Sequence, residues 1–324
     1  MQELIQKVFI NSFANEHLSK RHDSATLPPP EGQLAFATDS YVVRPLFFPG
    51  GDIGSMAVHG TINDLAMSGA RPLYLSTGFI LEEGLELTTL QRVVDSMAKA
   101  ARACGVQIVC GDTKVVDRGK GDQIFINTSG IGVIPAGVNI QPDCIEPGDR
   151  IIVSGDLGSH GVAVLSVREG LTFSSDIASD SAPLHEVIAD LLNAGISIHC
   201  LRDLTRGGLS SALNELAQTA EVQLIVEESK IPINASVRGA CEILGLDPLY
   251  VANEGRLVML LPATEVDRGL TILRKHTVSH AATDIGEVKQ HQSANHDSPV
   301  ILHTQIGTSR ILDLLSGEQL PRIC

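Results

Sequence analysis

Strand-length apolar runs recur along this chain, but the helices between them do not keep step, and that mismatch limits the fold more than any other feature. The first segment, Met1 to Asn15, has helical apolar spacing at Leu4, Val8 and Phe9, and the run Leu27-Pro28-Pro29-Pro30-Glu31-Gly32 then breaks all regular structure. Leu34 to Thr38 and Tyr41 to Pro45 read as two short strands around Asp39, followed by strands at Pro72 to Ile80, Gln107 to Cys110 and Gln123 to Pro135. Two helices fall among them. One spans Ser55 to Ser68; the other, Thr88 to Cys104, carries Leu90, Val93, Val94, Met97 and Ala101 on one stripe and stops at Gly105. After the turn Pro147-Gly148-Asp149-Arg150 the mixture repeats, with strands at 151–154, 222–227, 256–261 and 300–303 and helices near 160–169, 183–194, 209–220 and 264–276. A single doubly wound sheet requires strand and helix to alternate. Two mixed α/β (α+β) domains fit better, at 1–145 and 146–306, with a mobile tail at 307–324.

Composition sets which partners are excluded. Hydrophobic residues make up 43% of the chain but aromatics only 3%, with no Trp, so the cores are built from Ile, Leu, Val and Ala. A net charge of −14 argues against a nucleic-acid or anionic-membrane surface, since both need a basic face. The six cysteines form no CxxC pair and no zinc spacing, and five of them sit in apolar or small-residue surroundings as buried free thiols. With no signal-like N-terminus and no membrane-length apolar run, the expectation is a soluble cytoplasmic protein.

Three carboxylates stand at the ends of apolar stretches in the first half: Asp39, Asp64 and Asp112. Rigidly held carboxylates suit Mg²⁺, a hard cation that shares ligands with phosphate oxygens. Taken singly, each is more often a turn or cap residue. Asp64 is the hardest to dismiss, because Met56 to Met67 otherwise reads as a buried helix face. Lys114, two residues after Asp112, can neutralise phosphate or act as a base, or be an ordinary surface lysine. Glu254 in Asn253-Glu254-Gly255 is a candidate general base or second metal ligand, though on sequence alone such a residue is more often a turn acid. The loop Gly155-Asp156-Leu157-Gly158-Ser159-His160-Gly161 follows a strand and opens a helix, a good place for an anion, but it is neither a P-loop nor GxGxxG. Cys324 at the end of Pro321-Arg322-Ile323-Cys324 is a thiol on a chain end, where an accidental cysteine is also tolerated.

Seven motifs together resemble the HypE family of hydrogenase maturation proteins. They are Thr38-Asp39-Ser40, Phe48-Pro49-Gly50-Gly51-Asp52-Ile53-Gly54, His59-Gly60-Thr61-Ile62-Asn63-Asp64-Leu65-Ala66, Cys110-Gly111-Asp112-Thr113-Lys114, Asp203-Leu204-Thr205-Arg206-Gly207-Gly208, Asn253-Glu254-Gly255-Arg256 and Pro321-Arg322-Ile323-Cys324. The family belongs with aminoimidazole ribonucleotide synthetase (PurM), selenophosphate synthetase and thiamin-monophosphate kinase. The resemblance implies two PurM-like domains, with N-terminal sheets of two subunits pairing into a barrel-like homodimer. It also implies ATP in the interdomain cleft and Mg²⁺ on Asp39, Asp64 and Asp112. Asn63, Thr113, Lys114 and Asp203 would be further nucleotide or metal residues. The implied reaction dehydrates a carbamoyl group on Cys324 to a cyanide, and Lys114 and Glu254 are the candidates for the proton abstraction it requires. The group is loaded by the carbamoyltransferase HypF and delivered to a HypC–HypD iron scaffold. Relatives usually carry a glycine-rich stretch before the first helix, whereas this chain starts at Met1-Gln2-Glu3-Leu4, already at that helix. Two other readings remain at this stage: another enzyme of the superfamily, or a nucleotide-binding scaffold without catalysis.

Overall fold

A computed structural model describes residues 2–20, 22–171, 177–291 and 299–314. Cys324, with the rest of the chain from residue 315, lies outside the described residues.

The first half builds a four-stranded sheet from β1 (Gln33–Tyr41), β2 (Arg71–Glu82), β3 (Gln107–Val116) and β4 (Ile124–Ile134), in the order β1-β4-β2-β3. Only the β2–β3 pair is parallel. Helices α1 (Ile53–Met67) and α2 (Leu87–Ala103) cover one face. The stripe expected on α2 is buried in full, from Leu90 through Met97 to Ala101. Helix α1 has no such stripe, because it is buried nearly all round. It lies between the first sheet and the second domain, with Ile53, Met56, Ile62 and Ala66 fully covered. Asp52 caps it, accepting from the Gly54 and Ser55 N–H groups. The sheet's other face is open. There Leu34 is 58% exposed, Phe36 71% and Ile80 43%.

The second half forms a seven-stranded sheet from β5 (Asp149–Val153), β6 (Cys200–Asp203), β7 (Val222–Glu227), β8 (Leu257–Pro262), β9 (Thr283–Gln290), β10 (Val300–His303) and β11 (Ser309–Ile311). Their order is β11-β10-β7-β9-β5-β8-β6. Helices α3 (Ser159–Arg168), α4 (His185–Asn193), α5 (Gly208–Thr219), α6 (Ala235–Leu244) and α7 (Val266–Leu273) accompany it. Alternate residues of β8 go to two cores. Val258 and Leu260 pack on one side, Leu257, Met259 and Leu261 on the other. A sheet covered on both faces needs unbroken apolar strands, which is how β8 reads.

Four local expectations change. The two short strands around Asp39 are one strand, β1, paired residue by residue with β4 from Gln33 to Tyr41. Strand β3 runs on to Val116, so Asp112 and Lys114 belong to it rather than leaving it. Strand β9 was not expected, because its buried residues Ile285 and Val288 are three apart. A β-bulge between Asp284 and Gly286 restores the alternation that period-two reading requires. Finally, the tail expected from 307 is part of the sheet as far as Ile311, and Leu312 is fully buried. Among the described residues no disulfide forms. Cys104, Cys200 and Cys241 are buried, while Cys110 and Cys144 are half-buried rather than covered.

Candidate active site between the two domains

Asp39, Asp64, Asp203 and Glu254 line one cleft of about 450 Å³ between the two halves, with Tyr41, Arg202, Thr205 and Arg206. Each arrives on a rigid element. Asp39 is on β1, Asp64 near the end of α1, Asp203 at the end of β6, and Glu254 on the turn before β8. Burial pushes the Asp64 carboxyl up to about 7, helped by the charges of Asp203 and Asp39. Burial likewise raises Asp203 to about 6, eased by Arg202 and reinforced by Asp39. The Tyr41 hydroxyl is pushed well above its usual range by burial, then by Asp39, Glu254 and Asp64. Crowded, half-desolvated carboxylates of this kind are what a divalent cation neutralises. Arg202 is already paired with Glu215.

The structure does not bring Asp112 to this cleft. In the register across the sheet, Asp39 pairs with Thr128, whose hydroxyl donates to Ala57 of α1. Asp112 pairs through Gly78 with Asn127 and Ser40, the row on the open face. Successive strand residues alternate faces, so Asp39 and Asp112 stand on opposite sides of one sheet. Among the described residues no group of three or more His, Cys, Asp or Glu is arranged to hold a metal ion. The third carboxylate beside Asp39 and Asp64 is Asp203.

Asp112 and Lys114 line a second hollow of about 430 Å³, 3.4 Å apart and both exposed. Hydrogen bonds from Thr113 N–H and Lys114 hold the Asp112 carboxyl below the usual range. Tyr41 and Ser40, on the edge strand β1, border both hollows. Thr113 borders a third, small apolar hollow beside Phe9 and Phe13. Asn63 is spent elsewhere. Its amide donates to the Ala182 carbonyl at 3.1 Å and accepts from the Leu184 N–H at 2.8 Å. The glycine loop at 155–161 is likewise occupied by the protein itself. Gly158 N–H donates to Asn253, His160 N–H to Asp180, and Gly161 N–H to the Ala252 carbonyl.

Sequence reading passed over Asp180. Its side chain is 1% exposed and accepts from the backbone N–H groups of His160 (3.1 Å), Glu254 (3.4 Å) and Gly255 (3.0 Å). A Cβ on Gly255 would lie 2.0 Å from the Asp180 carbonyl oxygen, so only glycine fits there. Arg256 completes the cluster, donating to Asp156 at 2.8 Å.

The raised Asp64 carboxyl has a consequence for stability. A folded-state value near 7, against 3.8 unfolded, means the folded chain binds more protons in between. Stability is therefore lost as pH rises through that window. Asp64→Asn removes the loss, so its melting temperature should exceed wild type by a margin that grows from pH 5 to pH 8, without divalent cation. Added Mg²⁺ at pH 8 should narrow the margin. Thermal melts of both proteins check this, and a margin that shrinks with pH contradicts it.

Family models match the chain in two consecutive pieces: AIR synthase related protein, N-terminal domain, over residues 21–134, and the corresponding C-terminal domain over residues 146–297. The carbamoyl dehydratase HypE of Azotobacter vinelandii is 54% identical over 324 residues, 100% of this chain and 94% of the relative. The chain belongs to the HypE family. A solved structure of the hydrogenase maturation protein HypE in complex with ATP matches with a TM-score of 0.95 and 49% identity, covering 100% of this chain and 96% of that one. A HypE–HypF complex contains a chain that matches with a TM-score of 0.83 and 45% identity, covering 96% and 99%. Among the described residues, no helix is long and apolar enough to cross a membrane.

Proposed function

We propose that this protein uses ATP to dehydrate a carbamoyl group carried on the Cys324 thiol, turning an S-carboxamide into an S-cyanide for the iron centre of [NiFe]-hydrogenase. The observation that carries the reading is the cleft of Asp39, Asp64, Asp203 and Glu254, in a chain 54% identical to a carbamoyl dehydratase.

The amide oxygen of the S-carboxamide is a poor leaving group. The γ-phosphoryl of ATP transfers to that oxygen, breaking the bond to the β-phosphate and releasing ADP, while the amide nitrogen gives up one of its two protons to solvent and leaves an O-phosphorylated imidate. The remaining N–H proton goes to a base, the C–O bond breaks, C≡N forms and phosphate departs. Asp39, Asp64 and Asp203 do not form a closed ligand set by themselves; they would share Mg²⁺ with the phosphate oxygens, and the ion would supply charge neutralisation there. Asp112 would join them only from another face. Glu254, buried in the cleft, takes the proton, and needs to stand within about 3 Å of the nitrogen or reach it through one water. Lys114 stays the second candidate base, and Thr113 a nucleotide residue next to it.

The cargo arm starts close to the cleft. Asn214 donates to the Leu312 carbonyl at 2.7 Å and Ser210 to the Asp313 carbonyl at 2.8 Å. Both sit on α5, whose preceding loop lines the cleft with Thr205 and Arg206. From Asp313 to Cys324 the chain spans at most ~40 Å. HypF is the carbamoyl donor in this reading, on the strength of the HypE–HypF complex of a relative, and the HypC–HypD scaffold accepts the cyanide. The open apolar face with Leu34, Phe36 and Ile80 is where a second copy pairs to give the homodimer. Lys114 and Asp112 then border the shared interior. The work is that of a cytoplasmic enzyme.

The test is to weigh the carbamoylated protein before and after MgATP. Loss of the mass of one water from the peptide holding Cys324 supports dehydration. ATP hydrolysis without any mass change on that peptide overturns it.

A further inference from the structure

Glu254 lies on a turn with no ladder or helix of its own, yet its side chain is buried in the cleft. What holds it is the segment 177–184. The Glu254 N–H is taken by Asp180, and the Glu254 carbonyl by the Ala182 N–H at 3.3 Å. Gly255 N–H is taken by the same carboxylate. Both backbone groups of Glu254 are thus tied to one short stretch of chain.

That stretch is fixed in turn to the first domain at three points. Ser179 N–H donates to the Pro49 carbonyl at 2.8 Å. The Ser181 hydroxyl and His59 Nδ1 are 3.4 Å apart. Asn63 holds Ala182 and Leu184 through both ends of its amide. Asn63 is 2% exposed and lies next to Asp64 in α1, so the helix that supplies a cleft carboxylate also anchors the segment behind Glu254.

We propose that 177–184 is a strap that positions Glu254 against the cleft carboxylates, with Asp180 and Asn63 as positioning residues. This rests on the reading of Glu254 as the proton acceptor. Asp180 acts from behind the backbone and touches no substrate. Asn63 acts from the other domain, so the place of the base depends on how the two halves are joined. Misplacing a reacting group by about 1 Å can cost on the order of 100-fold in rate.

The test uses the full chain, carbamoylated and mixed with MgATP in a single turnover, with water loss followed by mass. Asp180→Asn and Asn63→Ala should each slow dehydration roughly 10- to 100-fold, while ATP affinity by calorimetry stays within about 3-fold of wild type. Hydrogen exchange at the Glu254 and Gly255 amides should quicken in Asp180→Asn. Combined with Glu254→Gln, Asp180→Asn should add no further loss, because a missing base cannot be misplaced. An unchanged rate in Asp180→Asn, or a further loss of the same factor in the double variant, overturns the strap. So does an Asn63→Ala that weakens ATP binding as much as it slows dehydration, which would make Asn63 a nucleotide residue. If Asp180→Asn fails to fold, Asn63→Ala carries the test, since it leaves the buried Asp156–Arg256–Asp180 cluster intact. Glu254→Gln at the wild-type rate sinks the base assignment itself. Glu254→Gln inactive with Asp180→Asn fully active sinks the strap alone.

Discussion

Cys324→Ala should carry no carbamoyl group and form no cyanide, with folding and ATP affinity unchanged. The expectation rests on how poorly the other thiols are suited to the role. Burial pushes Cys104 and Cys200 up to about 12 and Cys241 up to about 11, and raises Cys110 as well. At neutral pH a thiol near 12 is thiolate in only about one molecule in 10⁵, and the thiolate is the form that attacks. Cys144 is half-buried and accepts a hydrogen bond from Asn139 at 3.2 Å. Mass spectrometry of the loaded variant decides the matter. A carbamoyl adduct that survives in Cys324→Ala removes the carrier assignment, and Cys144 is then the thiol to replace next.

Asp64→Asn should lose dehydration by at least ~100-fold while melting at a higher temperature than wild type. Replacing groups merely behind a metal ligand typically costs 10- to 100-fold, and the proposed function makes Asp64 a ligand itself. The same carboxylate is held near 7 by burial and by its like-charged neighbours Asp203 and Asp39. It therefore weakens the fold as pH rises, a cost that a bound cation would offset. A gain in stability with a loss of turnover is the signature of a residue kept for function. Full turnover of Asp64→Asn at saturating MgATP would remove Asp64 from the metal set. Asp203→Asn should follow the same pattern with a smaller stability gain, since Arg202 already eases its charge.

Much of this fold is legible in the sequence where apolar spacing follows a simple period. The stripe on Thr88 to Cys104 and the continuous run of β8 are read directly. Strand β9 hides because its bulge puts Ile285 and Val288 on one face at the wrong spacing, between Asp284, Glu287 and Lys289. Asp39 looks like a break between strands because Asp is rare in strands, yet the ladder with β4 passes through it. Asp64 betrays itself as a carboxylate among buried residues. Asp180 does not, because Ile-Ala-Ser-Asp-Ser-Ala has the composition of any surface loop, and only the fold shows its aspartate covered. The grouping of Asp39, Asp64 and Asp112 fails for one chain for a geometric reason. Motif spacing says which residues stand near strand ends, but not which face of the sheet each one takes.

The strap has a last consequence for how cargo enters. Two lobes hydrogen-bonded at Pro49, His59 and Asn63 must break those contacts before they swing apart around a bulky guest. A gap that stays narrow admits something slender, threaded in from the rim. Under the proposed function the guest is the chain's own end carrying a small group, and its mooring on Ser210 and Asn214 sets how far that end can reach.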